Sequence, residues 1–154
     1  RDVTYHTLMS LQEHGTVPDY FVLLQPTSPL RSHVHVDECL GAFLHNRFNS
    51  VMSVTEAEHH PYKYLTHTDD GQLQPFHNAI SLDMPRQLLP QVYRQNGAIY
   101  AMSTELFLKT KSFFVPPVMP YIMSAIDSID IDNYFDLVMA ETVIKSKASM
   151  ERVK

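Results

Sequence analysis

The sequence predicts an α/β fold, and three observations carry that prediction. Helical and extended segments alternate along the chain. Tyr20 to Gln25 is a short, continuous, mostly apolar run, the pattern of a strand buried on both faces. Between Val34 and Asn46 the side chains of Val36, Leu40, Phe43 and Leu44 fall at i, i+4, i+7 and i+8, one apolar stripe of an amphipathic helix.

The elements follow in chain order. Tyr5, Leu8, Met9 and Gln12 have helical spacing over Arg1 to His14, and Gly15 supplies a stop. The strand at Tyr20 ends in Pro26-Thr27-Ser28-Pro29, whose prolines lack the N–H groups a ladder needs. After the helix at Val34 comes a second strand, Ser50 to Thr55. Glu56 to Pro90 is mixed, with Asp70-Gly71 marking a hairpin turn. Gly97 to Met102 is a third strand, and a short helix from Ser103 to Thr110 is capped by Ser103 or Thr104. Phe113 to Ile122 is extended and interrupted by three prolines. The last helix starts near Asp132 or Asn133 and runs to about Ser146. Tyr134, Leu137 and Ile144 form its apolar face, and Lys145 and Lys147 suit its C-terminal dipole.

Composition narrows the function. With 44% hydrophobic and 19% charged residues, the 154-residue chain has enough apolar material for one domain's core. A net charge of −5 argues against nucleic acid as a partner. No apolar run reaches membrane-span length, and Arg1 to Gly15 does not read as a signal peptide. The single cysteine, Cys39, allows no internal disulfide and fits a reducing, cytoplasmic setting. The glycines at 15, 41, 71 and 97 are too far apart for a phosphate-cradling loop. The first helix begins without a cap or a preceding strand, so the chain is expected to start partway through a domain.

Four segments carry chemistry. In Asp127-Ser128-Ile129-Asp130-Ile131-Asp132 the polar/apolar alternation predicts extended backbone, which puts Asp130 and Asp132 on one side. Two such carboxylates suit Mg²⁺, which takes oxygen ligands and often bridges carboxylates to phosphates. The alternative is that Asp132 caps the last helix and Asp130 is solvated. Gln25-Pro26-Thr27-Ser28-Pro29-Leu30-Arg31 lies past the carboxyl end of a strand, where ligands of open α/β sheets bind. There Gln25 could bond a substrate and Arg31 an anion, or the segment could be a rigid turn. Arg86 and Arg94, with Asn96 before the third strand, suit an anionic, hydroxyl-rich ligand, unless one of them makes an ordinary surface ion pair. In His59-His60-Pro61-Tyr62-Lys63 neighbouring histidines on a strand would face opposite ways, so Lys63 is the stronger candidate for an anion.

Taken in order, Leu24 to Arg31, Glu58 to Lys63, Pro85-Arg86-Gln87 with Leu89-Pro90, Asn96-Gly97-Ala98-Ile99-Tyr100 and Asp127 to Asp132 closely resemble the bacterial CMP-sialic acid synthetases, or acylneuraminate cytidylyltransferases. The resemblance runs from about Leu23 to Ala140. It implies a Rossmann-like nucleotidyltransferase domain with a small dimerisation subdomain around Glu56 to Tyr93, and a homodimer. It implies a reaction joining CTP to a nonulosonic acid with release of pyrophosphate, with Asp130 and Asp132 as the catalytic Mg²⁺ ligands. By the same resemblance Gln25 contacts the sugar and Arg86 its carboxylate, with Lys63 nearby. Asn96 and Tyr100 meet its hydroxyls, and Phe113 and Phe114 line the pocket for its N-acyl group. The family's opening strand and CTP-gripping loop have no counterpart here. Residues 1–154 are therefore expected to be the C-terminal part of one domain, and alone to turn over negligible CTP. A non-catalytic dimeric module that keeps the fold and binds sugar acids or a protein is the alternative.

Overall fold

The computed structural model describes residues 1–46 and 48–151, with side chains through 149. Two compact units divide the chain: Arg1–Thr55 with Gln95–Lys154, and Glu56–Arg94.

The larger unit begins with α1 (Asp2–Glu13). Gly15 ends it at φ +74°, a left-handed turn that lets the Thr16 N–H reach the Leu11 carbonyl at 2.9 Å. β1 (Tyr20–Leu23) and α2 (His33–His45) follow. Ser32 starts α2 with a reciprocal cap, its Oγ accepting the His35 N–H while His35 Nδ1 accepts the Ser32 N–H. β2 (Ser50–Glu56) leads out of this unit.

In the smaller unit, a single 3-10 turn (Pro61–Lys63) precedes β3 (Leu65–His67) and β4 (Leu73–Pro75), which pair antiparallel around the expected Asp70-Gly71 turn. Gly71 takes φ +85° there. α3 (Ala79–Asp83) and a second 3-10 turn (Arg86–Leu88) complete it.

β5 (Tyr93–Ser103) re-enters the larger unit and passes into α4 (Thr104–Thr110), with Ser103 as the cap. β6 (Val118–Ile122) and α5 (Tyr134–Glu151) close the chain. The strand order is β1-β5-β2-β6, with β1 antiparallel to β5 and β2 parallel to β6. Pro120 is tolerated because β6 lies at the end of that order.

Alternation along the strands gives this sheet two buried faces. On one, Val22, Val51, Ile99 and Ala101 pack with Met119 and with Cys39 and Phe43 of α2. On the other, Phe21 and Met102 pack with Leu8 of α1 and Phe107 of α4. Burial pushes the Cys39 thiol up to about 12, so it is inert.

Three sequence expectations change. β1, read as buried on both faces, sits at the other end of the strand order with Tyr20 exposed and the rest half-buried. Asp127 and Ser128 lie in a turn rather than an extended run, because Ser124 Oγ accepts the Asp127 N–H and donates to Asp127 Oδ2. α5 does not bury its apolar face: Tyr134, Leu137 and Ile144 are exposed, and Ala140 is the buried residue among its described side chains.

Candidate active site

Two sequence motifs meet in the larger unit because the backbone joins them. The Ile131 N–H donates to the Thr27 carbonyl at 2.9 Å, placing the acidic segment beside the loop after β1. That loop is held from below by Arg31, whose Nη1 donates to the carbonyls of Gln25 (2.8 Å) and Ala98 (2.9 Å). Arg31 therefore ties β1's exit to β5, and burial lowers the pKa of its guanidinium.

Gly97, at φ +73°, is the point of closest approach. A Cβ there would collide with Gln25 Oε1 and lie 3.5 Å from Asp130 Oδ2. Glycine thus admits the Gln25 carboxamide and the Asp130 carboxylate to one spot midway along β5. Gln25 also lines a cleft of ≈ 290 Å³ together with Leu23, Met52, Gln95, Tyr100 and Phe113. Arg1, Ser112 and Phe114 complete the lining. Tyr100 is pushed above its ordinary pKa, first by burial and then by the charge of Asp130.

Asp130 Oδ1 is buried and has no hydrogen-bond partner. A carboxylate oxygen in that state is costly unless something absent here satisfies it. A hard, oxygen-seeking divalent cation such as Mg²⁺ would do so, and Asp130 fits that role. Asp132 is exposed and does not cap α5. Asn133 Oδ1 is the cap, accepting the Phe135 and Asp136 N–H groups, while Asp136 Oδ2 accepts from the N–H groups of Asp132 and Asn133. That leaves the Asp132 side chain available to a ligand. No cluster of three or more metal-ligating side chains occurs among the described residues.

Other expected residues sit differently. Asn96 is 2% exposed, with both ends of its amide bonded inside the core. Phe113 packs on Phe107, Phe21 and Tyr100, with its ring centroid 5.3 Å from that of Tyr100. Phe114 turns outward at 60% exposure. Ser112 sets that reversal by accepting the Phe114 N–H at 3.1 Å. Gln95, Met52 and Ser112 were not legible as lining residues, because nothing in their spacing marks them.

In the smaller unit, the Lys63 ammonium donates to the Leu82 and Met84 carbonyls, which uses two of its three N–H groups. Arg86 is exposed and makes no ion pair among the described residues, whereas Arg94 pairs with Glu58 at 3.6 Å on the surface. His60 fixes a turn: Nε2 donates to the Pro90 carbonyl and Nδ1 accepts the Tyr62 N–H. No helix among the described residues is long and apolar enough to cross a membrane.

A mixed α/β chain whose sheet contains a parallel strand pair is consistent with an α/β nucleotidyltransferase. No family model matches the chain. Similarity to individual proteins is clear, however. The chain is 36% identical over 118 residues to the N-acylneuraminate cytidylyltransferase of Streptococcus agalactiae, covering 77% of this chain and 28% of that protein. It is 32% identical over 128 residues to the enzyme of the same name from Escherichia coli, covering 82% and 30%. It is 28% identical over 151 residues to the CMP-N,N'-diacetyllegionaminic acid synthase of Legionella pneumophila, covering 91% and 62%. The chain belongs to the N-acylneuraminate cytidylyltransferase family. It spans less than a third of the length of the streptococcal and E. coli relatives.

Proposed function

We propose that the protein containing this chain couples CTP to a nonulosonic acid, giving a CMP-sugar and pyrophosphate, and that these residues supply the sugar-acid side of the site. The observation that carries the reading is the meeting of Gln25, Gly97 and Asp130 beside the cleft lined by Tyr100 and Phe113. In the reaction the anomeric 2-hydroxyl attacks the α-phosphorus of CTP, the bond to the β-phosphate's bridging oxygen breaks, and the hydroxyl proton passes to water. Mg²⁺ held by Asp130 and Asp132 would lower that hydroxyl's pKa and neutralise charge on the phosphoryl oxygens. Gln25 orients the sugar by hydrogen bonds that cost little reorganisation, because Arg31 already fixes its backbone. The Tyr100–Phe113 wall suits an N-acyl group, with Phe114 at the rim. Arg86 makes no ion pair among the described residues and is the candidate for the sugar carboxylate.

The smaller unit is proposed as the dimerisation element. Tyr64, Leu65, Leu73, Phe76, Ile80 and Leu88 are all exposed on it, an apolar surface that a homodimer would cover. The test is CTP turnover by the full-length protein with a panel of neuraminic, legionaminic and pseudaminic acids. Mg²⁺-dependent pyrophosphate release with at least one of them is expected, and its absence with all of them would sink the reading.

A further inference from the structure

We propose that Asn96 is a positioning residue that fixes Asp130 through Ser128, rather than a contact to substrate. The amide has two donors and two acceptor sites, and all four are engaged. Its Oδ1 accepts from Ser53 Oγ at 2.6 Å and from the Ala98 N–H at 3.2 Å. Its Nδ2 donates to Ser128 Oγ at 2.8 Å and faces Met123 Sδ at 3.3 Å. The orientation is set by the Ala98 N–H, which would meet another donor if the amide were turned over. Ser53 in turn accepts the Ile99 N–H at 2.7 Å, so β2, β5 and the acidic turn are joined through one buried amide.

Each partner in this chain of bonds is almost wholly enclosed: Ser53 at 0%, Asn96 at 2% and Ser128 at 1% exposure. In a setting of low dielectric such a network holds its geometry firmly, since any broken bond strands a polar group. Ser128 stands two residues before Asp130. On Asp130's other side, the Ile131 N–H is fastened to the Thr27 carbonyl. Asp130 is thus held between two anchors, and Asn96 supplies one of them. Its neighbour Gly97 supplies the opening into which Asp130 and Gln25 project. The motif Asn96-Gly97 is read as one device: an amide that sets the carboxylate's backbone and a glycine that gives its side chain room.

This rests on the reading of Asp130 as a metal carboxylate, and the test separates the two. Mn²⁺ binding to the full-length protein is measured by electron paramagnetic resonance for the wild type, Ser128→Ala, Asn96→Ala and Asp130→Asn, with thermal melting as the check on folding. Ser128→Ala deletes only the acceptor and guards against an Asn96→Ala variant that does not fold. Ser128→Ala is expected to weaken Mn²⁺ binding about tenfold, the range seen when an outer partner of a metal ligand is removed. It should lower kcat while leaving the KM for the sugar acid within about twofold, as a group acting only through another should. A folded Ser128→Ala protein with unchanged Mn²⁺ affinity, or one that raises only the sugar-acid KM, overturns the positioning role. Unchanged affinity in Asp130→Asn instead overturns the metal reading, and the positioning role with it.

Discussion

The two units of this chain are stabilised by different means. The larger one is organised around β5, whose residues Asn96 to Met102 are buried without interruption, with apolar helices on both faces of the sheet. In the smaller one, Glu56–Arg94, the buried side chains among the described residues are His60 and Ser81, both polar and both bonded to backbone. Segments below about 40 residues seldom bury enough apolar surface to fold alone. The smaller unit accordingly relies on turn chemistry: His60 on Pro90, Lys63 on two carbonyls, and the stacked Tyr62 and His77 rings 3.9 Å apart. The lesson is that the proposed site is carried by the unit with a close-packed core, while the unit without one presents apolar surface.

That contrast can be broken or sharpened by substitution. The largest effect is expected from Asp130→Asn in the full-length protein. Loss of the carboxylate at the meeting point should lower kcat by about 10²-fold or more with melting little changed. A near-normal steady-state rate would remove the larger unit's claim to the chemistry. Next is Phe107→Ala, which empties the core between Phe21 and Phe113 and should cost about 3–5 kcal/mol by denaturant titration. Lys63→Ala should cost about 1.5–3 kcal/mol, through the lost charge-assisted bonds to Leu82 and Met84. Hydrogen exchange should locate that loss around α3. If exchange there is unchanged while the sugar-acid KM rises, Lys63 belongs to the site after all.

Smaller effects follow. Gly97→Ala places a side chain at φ +73°, at about 1–2 kcal/mol, and drives the Gln25 carboxamide aside. Weaker sugar-acid binding in calorimetry should accompany the lower melting point. The smallest effect concerns Asp127. Burial alone would raise its pKa, but bonds from Lys147 and Ser124 and the nearby His35 hold it below the ordinary 3.8. A depressed carboxylate contributes stability above its unfolded value and loses it as pH falls through the folded value. Lys147→Met should therefore cost up to about 1 kcal/mol near neutral pH, since this pair is partly exposed, and nothing at pH well below 3.8. Acid titrations of the two proteins followed by circular dichroism would converge at the low end.

Much of this was readable in the sequence for physical reasons. α2 announced itself through its stripe, the hairpin through Asp70-Gly71, and α4 through Ser103. Gln25 was legible because it follows a strand and Asp130 because it stands two residues from a second carboxylate, and the structure brings the two to one glycine. What periodicity cannot show is which polar residues a fold has already used. Asn96 and Lys63 carry the chemistry of ligand-binding groups, yet Asn96 bonds side chains distant in sequence and Lys63 bonds carbonyls some 20 positions away. The turn at Ser124 also defeated alternation, because a single hydroxyl there bonds Asp127 twice.

Arg31 has one more consequence. Its guanidinium cannot lose its charge at any relevant pH, and its recorded bonds go to neutral carbonyls rather than to an acid. In a chain of net charge −5 it is a permanent island of opposite sign beneath the loop after β1. An anion diffusing toward Gln25 would feel that charge offset by the Asp130 carboxylate at Gly97. With the acid neutralised by a divalent cation, Arg31's charge would remain, and capture should then slow as added salt shortens the range over which charges sense each other, even though no ion pair to Arg31 need ever form.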